Sequence, residues 1–308
     1  MTNPAATTSL GTDDSDLLHL RRSFIRHLAA DRRTPATRRA YREAIVQLEA
    51  FLVERGLPTA VDELSPEHLE AFVVALYERG MRPTTILARH HALSRFFGWL
   101  VAENELATSP MASIRAPAAR LPEPQILTGE EIASLLAACA GDTFEELRDA
   151  AILRLLLDTG MRRTELAALQ LDDLDLDLTT AYVAGQGRIP RAARFDRPTA
   201  KAIERYLAAR AIHRWAHLPH LWLGRRGRLT DRGVDLAIRH CGRLAGLPNL
   251  HPQRLRHTYV RQYLDDGGSG RDLMRMVGWK SRQLLGRYRT GAVAERPRSE
   301  SLLLGDRL

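Results

Sequence analysis

The stretch Thr159-Gly160-Met161-Arg162-Arg163-Thr164-Glu165-Leu166 ends one helical run and opens another, with an arginine placed just past a glycine. Backbone amides at a helix N-terminus and a guanidinium fork both suit a phosphate oxygen. Alone, the pattern is also that of an ordinary surface arginine at a helix cap. Upstream, Leu127-Thr128 is a helix cap, and two helices run from it to Thr159-Gly160. Downstream, Leu176 to Ala184 alternates as a strand, Gly185-Gln186-Gly187 is a turn, and Ile189 to Phe195 pairs back as a hairpin. After Pro198 the chain reads as helical again, apart from a short apolar piece at Leu221 to Leu223.

Two further basic clusters lie C-terminal to this stretch. Pro252-Gln253-Arg254-Leu255-Arg256-His257-Thr258-Tyr259 opens a helix with a second set of hydrogen-bond donors, which alone is a solvated basic face. Gly278-Trp279-Lys280-Ser281 is followed by Arg287-Tyr288-Arg289. Positive charge beside a phenol favours the phenolate and brings its pKa of about 10 closer to use. Alone, such a tyrosine is equally an interfacial ring with a wet hydroxyl.

The first part of the chain reads as four helices. One lies near Leu17 to Ala30. A second begins at Thr34-Pro35 and carries Tyr41, Ile45, Leu48 and Leu52; a third begins at Ser65-Pro66 and carries Leu69, Phe72, Val73 and Leu76. The fourth follows Pro83, with Ile86, Leu93, Phe97 and Leu100 on one face and Thr84, His91 and Arg95 on the other. His90 borders the apolar face as a packed histidine. The prolines at 110, 117, 122 and 124 cannot continue a helix and mark a connection. The expected division is a helical domain over 15–102, a linker over 103–126, a mainly helical α+β domain with one small antiparallel sheet over 127–300, and a tail over 301–308.

The chain has 308 residues and a formal net charge of +8, which favours a polyanionic partner through phosphate contacts. Nearly all the positive charge is arginine; the lysines are Lys201 and Lys280. No apolar run approaches the roughly 20 residues a membrane helix needs, so no membrane partner is expected. Met1 to Asp14 lacks a basic region followed by an apolar stretch, so a secretory signal is not expected and the cytosol is the expected compartment. Cys139 and Cys241 are far apart in sequence and read as small core residues rather than a disulfide or zinc site. The acidic run Asp172, Asp173, Asp175 and Asp177 could suggest magnesium ligands, but set before a strand it reads as a solvated turn and strand edge.

In this order and spacing the three clusters resemble the tyrosine recombinase (phage integrase) family, over nearly the whole chain. The resemblance implies a helical SAM-like core-binding domain and an α+β catalytic domain. Residue by residue, Arg162 resembles the first catalytic arginine, Glu165 its supporting acid, Arg256 the second arginine, Trp279 the His/Trp position and Tyr288 the nucleophile. The implied activity is site-specific recombination: two arginines clamp the scissile phosphate, and the tyrosine attacks in line to form a covalent 3′-phosphotyrosine. Neither metal nor nucleotide cofactor is implied, and no glycine-rich loop ending in Gly-Lys-Ser/Thr is present. The implied partner is double-stranded DNA, held in a homotetramer by C-terminal segments that include Leu302, Leu303 and Leu304, with a nucleoid-associated place in the cytoplasm. Thr84, His91, Arg95, Arg188 and His257 are the expected DNA contacts. With little chain ahead of the core-binding domain, an arm-site-binding domain is not expected, which favours a Xer-like or simple integrase.

Two catalytic positions depart from the family. Gln186 stands where the family has a lysine general acid, and Gln253 where it usually has histidine. Glutamine donates hydrogen bonds but transfers no proton near neutral pH. Arg188 and Arg191 can stabilise charge but cannot serve as the acid, and Lys201, Lys280 and His251 are the nearby alternatives. An active but slow recombinase and a catalytically impaired, non-enzymatic sequence-specific DNA-binding protein both follow from these substitutions. A helical DNA-binding regulator unrelated to the family would share the charge and the helices but would not need Tyr288 or the turn before Arg162.

Overall fold

The computed structural model describes residues 16–119, 123–184, 191–279 and 281–288. Gln186, Arg188, Lys280 and the segment containing Leu302 to Leu304 lie outside the described residues. The chain divides into two compact units, 1–122 and 123–308.

The first unit is four helices: α1 (Leu17–Ala30), α2 (Pro35–Glu54), α3 (Pro66–Glu78) and α4 (Pro83–Ala102). Its sequence fixes where three of them begin. Thr34 Oγ1 accepts the Thr37 amide ahead of Pro35, Ser65 caps α3 reciprocally with His68, and Pro83 supplies the first turn of α4. Phe24, Ile45, Leu48, Phe72, Phe96 and Phe97 fill the core. Met111 and Ile114, in the segment read as connection, also pack into it. His90 is buried, and its Nε2 pairs with the Ile114 carbonyl at 3.2 Å.

The second unit is built round α6 (Phe144–Thr159), which is apolar on most of its circumference; Ile152, Leu153, Leu155 and Leu156 are all buried. It packs against α8 (Arg197–Ala211) and α10 (Pro252–Asp265). Around this centre lie α5 (Gly129–Ala138), α7 (Arg163–Ala168), α9 (Asp231–Leu244), α11 (Gly270–Val277) and a last short turn, α12 (Gln283–Gly286). Cys139 and Cys241 are both buried free thiols that meet in side-chain hydrogen-bond contact without a disulfide.

The expected strand is shorter than its apolar alternation suggested. The three-stranded antiparallel sheet consists of β1 (Leu174–Asp175), β2 (Thr180–Val183) and β3 (Arg191–Arg194), with β2 central and Ala181 opposite both Leu174 and Ala193. Residues 176–179 form a turn instead. Asp175 Oδ1 accepts the Leu178 amide at 2.8 Å, and Thr179 takes a left-handed φ of 46°. The acidic run thus serves backbone amides: Asp173 Oδ2 accepts from Gln170 in the same way. A second, two-stranded sheet, not expected from the sequence, joins β4 (Leu223–Gly224) to β5 (Gly227–Arg228). The glycine pair at 224 and 227 permits the tight reversal.

Gly160, at the end of α6, has φ +54°, and a Cβ there would overlap Tyr259 Cδ1 deep inside van der Waals contact. Left-handed strain and overpacking add, so Gly160→Ala is expected to cost roughly 2–4 kcal/mol of stability. Denaturant unfolding checks this; a loss below about 0.5 kcal/mol, the range of an ordinary surface change, would contradict it.

Candidate functional site

Three segments distant in sequence meet at the ends of two helices. Arg162 is the N-cap residue of α7, with its side chain partly exposed. Its backbone amide and Nη1 donate to the two oxygens of Glu165 at 2.8 and 2.7 Å, and Nη2 donates to the Gly278 carbonyl at 3.1 Å. Glu165 also accepts from Arg191 Nη2 at 2.8 Å. Burial raises the Glu165 carboxyl, but the Arg162 amide and the Arg191 and Arg162 guanidiniums outweigh it and hold the group below its ordinary value.

Arg256 is 3% exposed. Nη1 donates to the Gly160 carbonyl at the end of α6, and Nη2 to the Val277 carbonyl, at 2.6 Å, at the end of α11. Both helices end in a left-handed glycine, Gly160 and Gly278, whose backbone turns these carbonyls toward the guanidiniums. The C-terminal end of a helix carries partial negative charge, which suits both cations. Burial first, then the like charge of Arg162, holds Arg256 down to about 10, so it remains a cation at neutral pH. Arg256 donates to carbonyls, which satisfy hydrogen bonds without neutralising charge. Among the described residues, Glu165 is the carboxylate that pairs with Arg162 and Arg191, while Arg256 is held by carbonyls, so the three guanidiniums carry a positive excess available to an anion.

Trp279 follows directly. Its ring centroid lies 6.0 Å from Arg256 Cζ and 5.7 Å from the Tyr288 ring, which it stacks against. Tyr288 is nearly buried, on a small cluster of Tyr259, Val260, Leu273 and Val277. Its hydroxyl is hydrogen-bonded to Nδ1 of His257. The sequence expectation that neighbouring charge brings this phenol closer to ionisation is not met in the free protein. Arg287 and Arg256 act in that direction, but burial outweighs them and raises the pKa.

A cleft of about 420 Å³ opens over Arg162 and Arg256, and Arg163, Arg239, Asp235, His251, Gln253 and Trp279 also line it. Tyr288 is not among its lining residues, but Trp279, against which it stacks, is. Gln253 is exposed at this cleft, and His251 is the N-cap of α10, its Nδ1 accepting the Arg254 amide at 3.2 Å. Lys201 is exposed on α8. His257, expected as a DNA contact, is half-buried against Tyr288. In the first unit, His91 and Arg95 are exposed on α4, and Thr84 is half-buried at its start. Nothing local in the sequence marks Arg191 as a partner of Glu165, since it sits on a strand 26 residues away. Among the described residues no group of His, Cys, Asp and Glu could hold a metal ion, and no helix is long and apolar enough to cross a membrane.

Residues 125–295 match the phage integrase family, and residues 22–104 match the phage integrase N-terminal SAM-like domain. The tyrosine recombinase XerC of Xanthomonas campestris pv. campestris (strain 8004) is 31% identical over 285 residues, spanning 90% of this chain and 84% of that protein. Among solved structures, the Tn1549 transposon integrase in complex with transposon right end DNA gives a TM-score of 0.73 at 16% identity, covering 90% of this chain and 95% of that one. The lambda integrase tetramer bound to a Holliday junction gives 0.65 at 18% identity, covering 91% and 82%.

Proposed function

Because this chain belongs to the phage integrase family and is a site-specific DNA recombinase of the tyrosine class, we propose that Tyr288 is its nucleophile and that Arg162 and Arg256 hold the scissile phosphate. The observation that carries this assignment is a cleft lined by Arg162 and Arg256, both held by helix-end carbonyls, with Glu165 pairing Arg162 to Arg191 and with Tyr288 stacked on the Trp279 that lines the cleft. Phosphoryl transfer needs positioning and neutralisation of oxygen charge, and bidentate guanidiniums supply both. Glu165 keeps Arg162 in place from two atoms, and the carbonyls of Gly160 and Val277 do the same for Arg256. In-line attack by the Tyr288 oxygen forms a 3′-phosphotyrosine and frees a 5′-hydroxyl. Attack by the 5′-hydroxyl of another strand reverses the step, so the bond energy is retained without a nucleotide cofactor. The non-enzymatic alternative is not favoured.

The substrate is duplex DNA carrying a specific site, and strand exchange runs in a homotetramer on two such sites. The DNA-bound state of the Tn1549 and lambda integrases, and the tetramer of the latter, support this reading. The first unit contributes Thr84, His91 and Arg95 to the phosphate backbone, and Arg188 adds a contact from the second. Replacing His91 and Arg95 together by alanine is expected to weaken binding and to lower the slope of log K against log salt by about 1 to 2. An unchanged slope would remove both from the interface.

The test of the reaction is covalent adduct formation on a nicked suicide substrate carrying a site selected from bound fragments, run in chelator. The wild type is expected to form an adduct and Tyr288→Phe none. Tight, specific binding without any adduct would overturn the assignment.

A further inference from the structure

The cleavage step requires that the Tyr288 hydroxyl lose a proton as it attacks. The position three residues before Arg256 is Gln253, which cannot accept one. Yet the phenol already has a hydrogen-bond partner that can. On α10, Arg256 turns toward the ends of α6 and α11, and the next residue, His257, turns toward Tyr288. Trp279 lies against both Arg256 and Tyr288, so one short stretch of helix reaches the phosphate-binding cation and the nucleophilic oxygen together.

We propose that His257 is the base of the cleavage step, taking the Tyr288 hydroxyl proton on Nδ1 as the phenol oxygen attacks phosphorus. This rests on the reading of Tyr288 as the nucleophile. The bookkeeping of atoms is simple. The Oη–H bond breaks and its proton passes to Nδ1; the Oη–P bond forms and the P–O5′ bond breaks. The departing 5′-oxygen takes its proton from water, which is made good by the proton that His257 releases to solvent. In strand joining the incoming 5′-hydroxyl gives its proton to water as its oxygen forms the new P–O bond, the P–Oη bond breaks, and the phenol oxygen takes its proton from solvent through His257, which is left neutral again.

The imidazole is in the right form for this role. Tyr288 can donate to Nδ1 only if that nitrogen bears the lone pair and Nε2 the hydrogen. Burial first, then the positive charge of Arg287 and the neighbouring His251 and Arg256, holds His257 down to about 4, so it is neutral at physiological pH. Among the described residues, these groups and Tyr288 act on the ring, and Arg261 lies close by, its Nη1 donating to the Tyr288 carbonyl at 3.2 Å. A neutral histidine is ready to accept, but its low basicity keeps Tyr288 protonated while the site is empty. A phosphodiester that reaches the Tyr288 oxygen brings negative charge beside the ring and raises its proton affinity, so that transfer is coupled to substrate binding.

The experiment compares wild type, His257→Gln and His257→Ala in single-turnover adduct formation. Each is tested on an ordinary phosphodiester suicide substrate and on one with sulfur at the 5′-bridging position. The sulfur leaving group needs no proton, so it rescues a missing general acid but not a missing base. Loss of a general base typically costs roughly 10²- to 10⁴-fold. His257→Gln is therefore expected to slow adduct formation by about 10²-fold or more on both substrates, with site binding unchanged. Added imidazole is expected to restore part of the rate in His257→Ala, which a purely structural role would not allow. A His257→Gln rate within about threefold of wild type overturns the proposal, as does a defect that the sulfur substrate removes. A wild type that forms no adduct overturns the nucleophile assignment as well, which separates the two failures.

Discussion

Arg256→Ala is expected to reduce adduct formation by about 10²- to 10³-fold in single turnover, the usual cost of removing one preorganised donor from a developing oxyanion. The side chain is 3% exposed, and a carbonyl at the end of each of two helices holds its fork. It therefore spends no conformational entropy when phosphate arrives. Alanine would also leave the Gly160 and Val277 carbonyls without this partner, adding about 1–3 kcal/mol of instability. The variant should thus melt earlier as well as react slowly, and rates must be read well below its melting temperature. Arg256→Lys separates charge from geometry. It retains the cation but cannot span both carbonyls and a phosphate, so a large defect is expected there too. DNA binding should fall far less than cleavage, since many other phosphate contacts contribute to affinity. Cleavage within threefold of wild type in Arg256→Ala would remove this residue from the phosphate site.

Restoring the residue types that the family uses is expected to have an effect of similar size in the opposite direction. The double variant Gln186→Lys, Gln253→His should accelerate cleavage by about 10²-fold or more, because neither glutamine can transfer a proton and general acid–base catalysis contributes typically 10²- to 10⁴-fold. With His257 already against Tyr288, most of the gain should come from Gln186→Lys, acting on the leaving 5′-oxygen. The gain should then vanish on a substrate with a 5′-bridging sulfur. No acceleration in the double variant would mean that groups other than positions 186 and 253 move the protons, and that the natural chain is not slow on their account.

The helices and most of the candidate site's residues are legible in the sequence because their signals are local. Thr34-Pro35, Ser65-Pro66 and Thr128 state where helices start, and their hydrogen bonds in the fold are the caps those residues imply. Arg162 and Glu165 are three residues apart at a helix start, so their pairing follows from helix geometry. Pairings between distant segments were not legible. Nothing local says that Arg191 shares Glu165, or that the carbonyls of Gly160, Val277 and Gly278 receive the two arginines. Apolar alternation over Leu176 to Ala184 suggested one strand, but a side-chain bond from Asp175 closes a turn inside it. Met111 and Ile114 looked like connection because prolines surround them, and burial rather than secondary structure ties them to the first core. The Tyr288 environment misled in a different way. Flanking arginines are visible in sequence, while the burial that outweighs them is a property of the folded cluster.

The most direct test of the account is the chemical identity of the covalent link. Wild-type protein would be incubated with a nicked suicide substrate bearing its selected site, digested with protease and nuclease, and the nucleotide-bearing peptide sequenced by mass spectrometry. The expected product is a 3′-phosphodiester on Tyr288, with the adduct absent in Tyr288→Phe. A nucleotide on any other residue, or an adduct that persists in Tyr288→Phe, would contradict it.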